Sequence, residues 1–120
     1  MAASICSTFA IYLDSVVTAG GSIIITNPGR TLRVMEVRVT GLDGAQCKLL
    51  RRINGATGTQ VGAVTLNTLI SLTGVPMPIT AAAHTFFTAA DDLEITADVA
   101  NVSSVVIVCA GNPSQALTLT

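Results

Sequence analysis

The stretch "DDLEITADV", residues 91–99, sets Leu93, Ile95, Ala97 and Val99 on one parity and Asp92, Glu94, Thr96 and Asp98 on the other. Successive side chains of a β-strand leave on opposite faces, so this segment reads as a strand with one dry face and one acidic face. A row of carboxylates in a chain with few charges has four possible uses: a metal site, a catalytic pair, a basic partner or plain solvation.

Outward from this stretch the β pattern continues. Turn signals at Gly20-Gly21, Asn27-Pro28-Gly29, Asp43-Gly44, Asn54-Gly55, Pro76, Asp91-Asp92, Asn101 and Asn112-Pro113 separate runs of β-formers. These runs are "TFAIYL", "SIIIT", "TLRVMEVRVTG", "AQCKLLRRI", "QVGAVTL", "PITAAAHTFF", "LEITADV", "SVVIVCA" and "ALTLT". Val, Ile and Thr are stiff at the first side-chain torsion and fit a pleated surface. Strands recurring every 8 to 12 residues or so are the spacing of sandwiches and barrels. The expectation is one antiparallel, all-β domain over residues 1–120 with eight or nine short strands. "GAVTLNTLIS", residues 62–71, is the best candidate for a short helix.

Three runs carry more detail. "SIIIT" (22–26) and "SVVIVCA" (104–110) are apolar on both parities, as expected of a central strand or of one whose outer face meets another subunit. In "TLRVMEVRV" (31–39), Leu32 and Val34 share one parity, and Val37 and Val39 the other. A β-bulge near Met35-Glu36 would turn all four inward and leave Arg33, Glu36 and Arg38 outside; the alternative is a regular strand with mixed faces.

Composition bounds the surface. Of 120 residues, half are hydrophobic and only 11% charged, against about 25% in an ordinary globular domain. With a net charge of −1, little keeps one copy apart from another, so burial of surface against other chains, as a homo-oligomer, is expected. A tightly packed monomer with a Thr-rich exterior is the alternative. All six basic residues lie between Arg30 and Arg52, whereas the chain from Ile53 onward holds Asp91, Asp92, Glu94 and Asp98 and no Lys or Arg. Arg33, Arg38, Lys48, Arg51 and Arg52 are therefore expected to answer Asp92, Glu94 and Asp98, either across strands of one sheet or between subunits.

Catalytic and ligand-binding patterns are scarce. Any Ser-His-Asp or Cys-His arrangement must use His84, the sole histidine, and "TAAAHTFF" offers no nucleophile signature. Asp91, Asp92 and Glu94 follow one another along one strand and do not face each other across a cleft, as paired hydrolytic carboxylates do. A calcium site at Asp91 and Asp92 has no glycine–aspartate repeat behind it. Cys6, Cys47 and Cys109 are widely spaced without a C-x-x-C, and Cys109 reads as a small buried hydrophobe in a reduced, intracellularly made protein. The reading is of a non-enzyme without catalytic residues, metal or cofactor. Nucleic acid is not expected as a partner, because it would need a basic face with stacking aromatics and the chain has three Phe, one Tyr and no Trp. The uncharged span 53–83 is too broken by Asn67, Gly74, Pro76 and Pro78 to cross a membrane as a helix. No basic region precedes the first apolar run, so a secretory signal is not expected.

The segments "TLRVMEVRVTGLDGAQCKLLRRINGATGTQVGAVTL" (31–66) and "FTAADDLEITADVANVSSVVIVCAG" (87–111) resemble the small jelly-roll and β-sandwich virion proteins of tailed bacteriophages, particularly capsid decoration (cement) proteins. The second is similar to the strand pair found towards the end of such chains. The resemblance implies a jelly roll, often a trimer, on the outside of a capsid shell, with the major capsid protein as partner. It carries no ligand residues, and it leaves a tail, connector or spike-base role open. A carbohydrate- or cell-surface-binding sandwich is the rival, weakened by the absence of Trp and a single tyrosine, Tyr12.

Overall fold

The dry parity of each long strand turns to one shared interior. The computed structural model describes residues 7–26, 31–53, 58–66, 74–81, 85–88 and 90–111. Its strands are β1 (Ser7–Leu13), β2 (Ser22–Ile25), β3 (Leu32–Gly41), β4 (Gln46–Arg52), β5 (Thr59–Thr65), β6 (Val75–Pro76), β7 (Phe86–Phe87), β8 (Asp92–Asp98) and β9 (Val102–Gly111). They form two antiparallel sheets packed face to face, an all-β sandwich. Sheet A has the order β1-β9-β3-β6, with β7 also on β3, and sheet B the order β2-β8-β4-β5.

β6 and β7 are two halves of one edge strand. Val75 and Pro76 lie opposite Val39 and Arg38, while Phe86 and Phe87 lie opposite Arg33 and Leu32. Between them the Met77 amide donates to the Val37 carbonyl (2.8 Å) and the Val34 amide to the Thr85 carbonyl (2.8 Å). With β6 and β7 counted together, each sheet has four strands, and the chain passes from sheet to sheet at every connection but the β4–β5 hairpin. That winding is a jelly roll.

The bulge in β3 is present. Val34 faces Cys109 and Glu36 faces Val108, so Met35 is the extra residue. Leu32, Val34, Val37 and Val39 are all buried as a result, whereas Met35 is 54% exposed. These four meet Ile11, Val105, Ile107, Cys109 and Phe87 from sheet A and Cys47, Leu49, Leu93, Ile95 and Ala97 from sheet B in one core. β9 lies between β1 and β3, with Val105, Ile107 and Cys109 in the core and Val106 and Val108 half-buried on the outer face.

Several expectations need correction. β2 is not central: among the described strands it is the edge of sheet B, paired with β8, and Ile24 on its outer face is 40% exposed. The proposed helix over 62–71 is strand where it is described, because Gly62 to Thr65 pair with Leu49 to Gln46 of β4; residues 67–71 lie outside the described residues. No α-helix occurs among the described residues. Among the described residues of "PITAAAHTFF", Ile79, in a bridge to Gly62, and β7 join a sheet; residues 82–84 lie outside the described residues. Val99 does not continue the dry parity: the chain turns there at φ 68°, leaving it 65% exposed. Cys6, Arg30, His84 and the run "ALTLT" lie outside the described residues.

Candidate interaction surfaces

The acidic strand and one of the basic strands are neighbours. β4 and β8 pair so that Gln46 faces Asp98, Lys48 faces Thr96, Leu50 faces Glu94 and Arg52 faces Asp92. Cys47 and Leu49 point inward, so Lys48 and Arg52 share the outer face of sheet B with Asp92, Glu94 and Asp98. Arg52 reaches diagonally to Glu94, Nη1 to Oε1 at 3.4 Å. Lys48 makes no ion pair with any described residue. Asp98 Oδ1 accepts the amide of Val99 (2.9 Å) and so caps the turn.

Arg51 has the inward parity, and at the end of the sandwich it meets Asp91 instead of the core. Its Nε and Nη2 lie 2.8 and 2.7 Å from Asp91 Oδ2. The same oxygen accepts the amide and the hydroxyl of Thr88, each at 2.9 Å. Asp91 is 1% exposed. Burial by itself would push its carboxyl pKa up; the Thr88 bonds, followed by the Arg51 bond and charge, outweigh burial and hold it below the ordinary value. The sequence reading missed this site, since it set Asp91 aside as a turn or calcium residue. A signal did exist: a Thr three residues before an Asp that opens a strand is a pattern for a side-chain-closed turn.

Arg33 and Arg38 are placed differently. Both lie on β3 in sheet A, so the acidic stripe of sheet B cannot pair with them within one sheet. Arg38 instead binds Glu36 on its own strand, Nε to Oε1 at 2.7 Å, with both side chains nearly half exposed. Such a pair contributes about 0–1 kcal/mol.

These arginines stand among apolar residues on the outer face of sheet A. Across the outer face of sheet A run three rows: Thr8–Ala110–Arg33–Phe86, Ala10–Val108–Glu36 and Tyr12–Val106–Arg38–Pro76. Tyr12, Met35 and Phe86 are 57, 54 and 51% exposed there, and Val106, Val108 and Ala110 are half-buried between them. The doubly apolar β9 signalled this face; the contributions of Met35 and Phe86 depended on the bulge and on the split edge strand.

Sheet B has an open depression of about 360 Å³ lined by Gly20, Gly21, Gln46, Lys48, Glu94 and Asp98, among others. Its lining carries both charge signs and no aromatic side chain. Among the described residues no group of three or more His, Cys, Asp or Glu is arranged to hold a metal ion. Cys47 and Cys109 are buried, and burial pushes the Cys47 thiol up to about 12, which keeps it protonated and unreactive. No family model matches the sequence, and no curated protein matches it.

Proposed function

We propose that this chain is a structural assembly protein of a virion, a capsid decoration or cement domain that binds the outside of a phage shell through protein–protein contacts. The observation that carries this reading is the outer face of sheet A, where Tyr12, Val106, Val108, Ala110 and Met35 form an apolar surface beside the β3 residues Arg33, Glu36 and Arg38, with Phe86 exposed beyond Arg33. Monomeric proteins rarely leave contiguous apolar surface of this kind uncovered, and it marks a docking face. The resemblance of residues 31–66 and 87–111 to tailed-phage decoration proteins supplies the class of partner, and the jelly-roll winding is compatible with it. Each copy contributes a modest contact, and the repeated lattice of a shell supplies avidity.

The experiment is co-sedimentation of the purified chain with empty phage shells, alongside light scattering of the chain alone. Shell binding that survives high salt supports the reading, because apolar contacts are not screened. A soluble monomer with no affinity for any shell or partner chain would sink it.

A further inference from the structure

We infer that β1 is a pairing edge for a second copy of this chain, joining β1 to β1 antiparallel about a two-fold axis at Ala10. The inference starts from how the four sheet edges are protected. An exposed edge strand is a template for further pairing, and proteins blunt it by shortness, proline, charge, bulges or a covering segment. Three of the four edges here carry such a device. β2 has only four residues. The β6/β7 edge is split into two residues and two, with Pro76 in the first. β5 bulges where Leu49 faces Gly62 and Leu50 faces Gln60, and Ile79 to Ala81 close over it: Ile79 bridges to Gly62, and the Thr80 and Ala81 amides donate to the Val61 carbonyl at 2.9 and 3.1 Å.

Among the described residues β1 has none of these. Its seven residues, Ser7–Leu13, pair with β9 from Gly111 to Val105 without a register shift. "STFAIYL" contains no Pro, no Gly and no charge, and no other described strand pairs with it.

The occupant follows from the side chains. A strand without charge meets no repulsion from its own copy. With the axis at Ala10, the outward residues Thr8, Ala10 and Tyr12 face Tyr12, Ala10 and Thr8 of the second copy. Small meets small at the centre, and an aromatic meets a β-branched residue on either side, a favourable cross-strand pairing. Isologous pairing of this kind closes at two copies. It also joins the two apolar outer faces of sheet A into one surface, so it rests on the assembly reading above only in taking the chain as one that self-associates. A single strand seam is a small interface, and the dimer is therefore concentration-dependent.

The test is light scattering on the full chain from roughly 10 µM to 1 mM, with amide hydrogen exchange over residues 8–12 at both ends of that range. The expected result is a dimer that dissociates on dilution, with β1 amides more protected at high concentration. Ala10→Lys and Ala10→Asp, on an exposed position, should each weaken the dimer by about fivefold or more, and an equimolar mixture of the two should restore it. A monomer throughout, a trimer, or a dimer indifferent to both substitutions would overturn the pairing. Amide exchange on the unaltered chain decides the matter if a variant fails to fold. Loss of shell binding with the dimer intact would remove the preceding reading and leave this one standing.

Discussion

Asp91 shows how one side chain settles a region. Four donors converge on its Oδ2, two from Thr88 and two from Arg51, and it is buried beneath them. Removing one partner of a buried pair leaves the other charge and its donors unmet, at about 3–5 kcal/mol; Arg51 keeps 16% exposure, so Asp91→Ala should cost about 3 kcal/mol, read from urea midpoints. The pH dependence has a definite sign. The folded carboxyl titrates below its ordinary value of about 3.9, so its contribution is complete above pH 5 or so and is lost as pH falls through the folded value. Urea midpoints should therefore hold level from neutrality to about pH 5 and drop in more acidic buffer, with a smaller drop in Asp91→Asn. Val99 is the opposite case, a β-branched residue at φ 68° that is mostly exposed. That backbone region costs a residue of its type about 1–3 kcal/mol and suits Asn far better. Val99→Asn should raise the melting temperature by a few degrees in differential scanning calorimetry.

At the scale of elements, what was legible depends on how far the determining interaction reaches along the chain. The bulge in β3 was legible because a period of two keeps phase: Leu32 and Val34 against Val37 and Val39 can all be dry only if one residue is extra. The inward face of β8 was legible for the same reason, up to Val99, where the turn overrides the alternation. The edge position of β2 was not legible. "SIII" looks buried on both sides, but its neighbours are fixed by pairing with residues 93–96, far along the chain. Which basic strand meets the acidic one was hidden likewise, since sheet membership separates Arg33 and Arg38 from Arg51 and Arg52. Gly62 illustrates a constraint that only packing reveals. A Cβ there would lie 2.6 Å from the Pro78 carbonyl oxygen, which belongs to the segment that closes over β5. Gly62→Ala should push that segment away, destabilising the fold by about 1–3 kcal/mol and baring a second sheet edge. Thermal denaturation together with the onset of aggregation would show both effects.

For the molecule as a whole, the question is which forces hold it to its neighbours. On sheet B, Arg51 pairs with Asp91 and Arg52 with Glu94, while Lys48 makes no ion pair with any described residue. Sheet A has an apolar centre and two arginines, one of them occupied by Glu36. Assembly through sheet A should thus depend on Val106 and Val108, the central outward residues of β9. Threonine keeps their shape and strand preference while exchanging one methyl for a hydroxyl in each, and because both are only half-buried the fold should lose little. The double variant Val106→Thr, Val108→Thr should retain the circular dichroism spectrum and most of the melting temperature, yet lose shell binding and any association through the sheet face. Salt separates the two kinds of contact, since the screening length falls from about 10 Å at 0.1 M to about 3 Å at 1 M. Assembly that persists at 1 M and fails in the valine variant assigns the contact to the apolar rows. Assembly that dissolves at 1 M and tolerates the threonines would shift it to Arg33 and Arg38 against the acidic stripe of another copy, where Asp92, Glu94 and Asp98 offer the opposite charge.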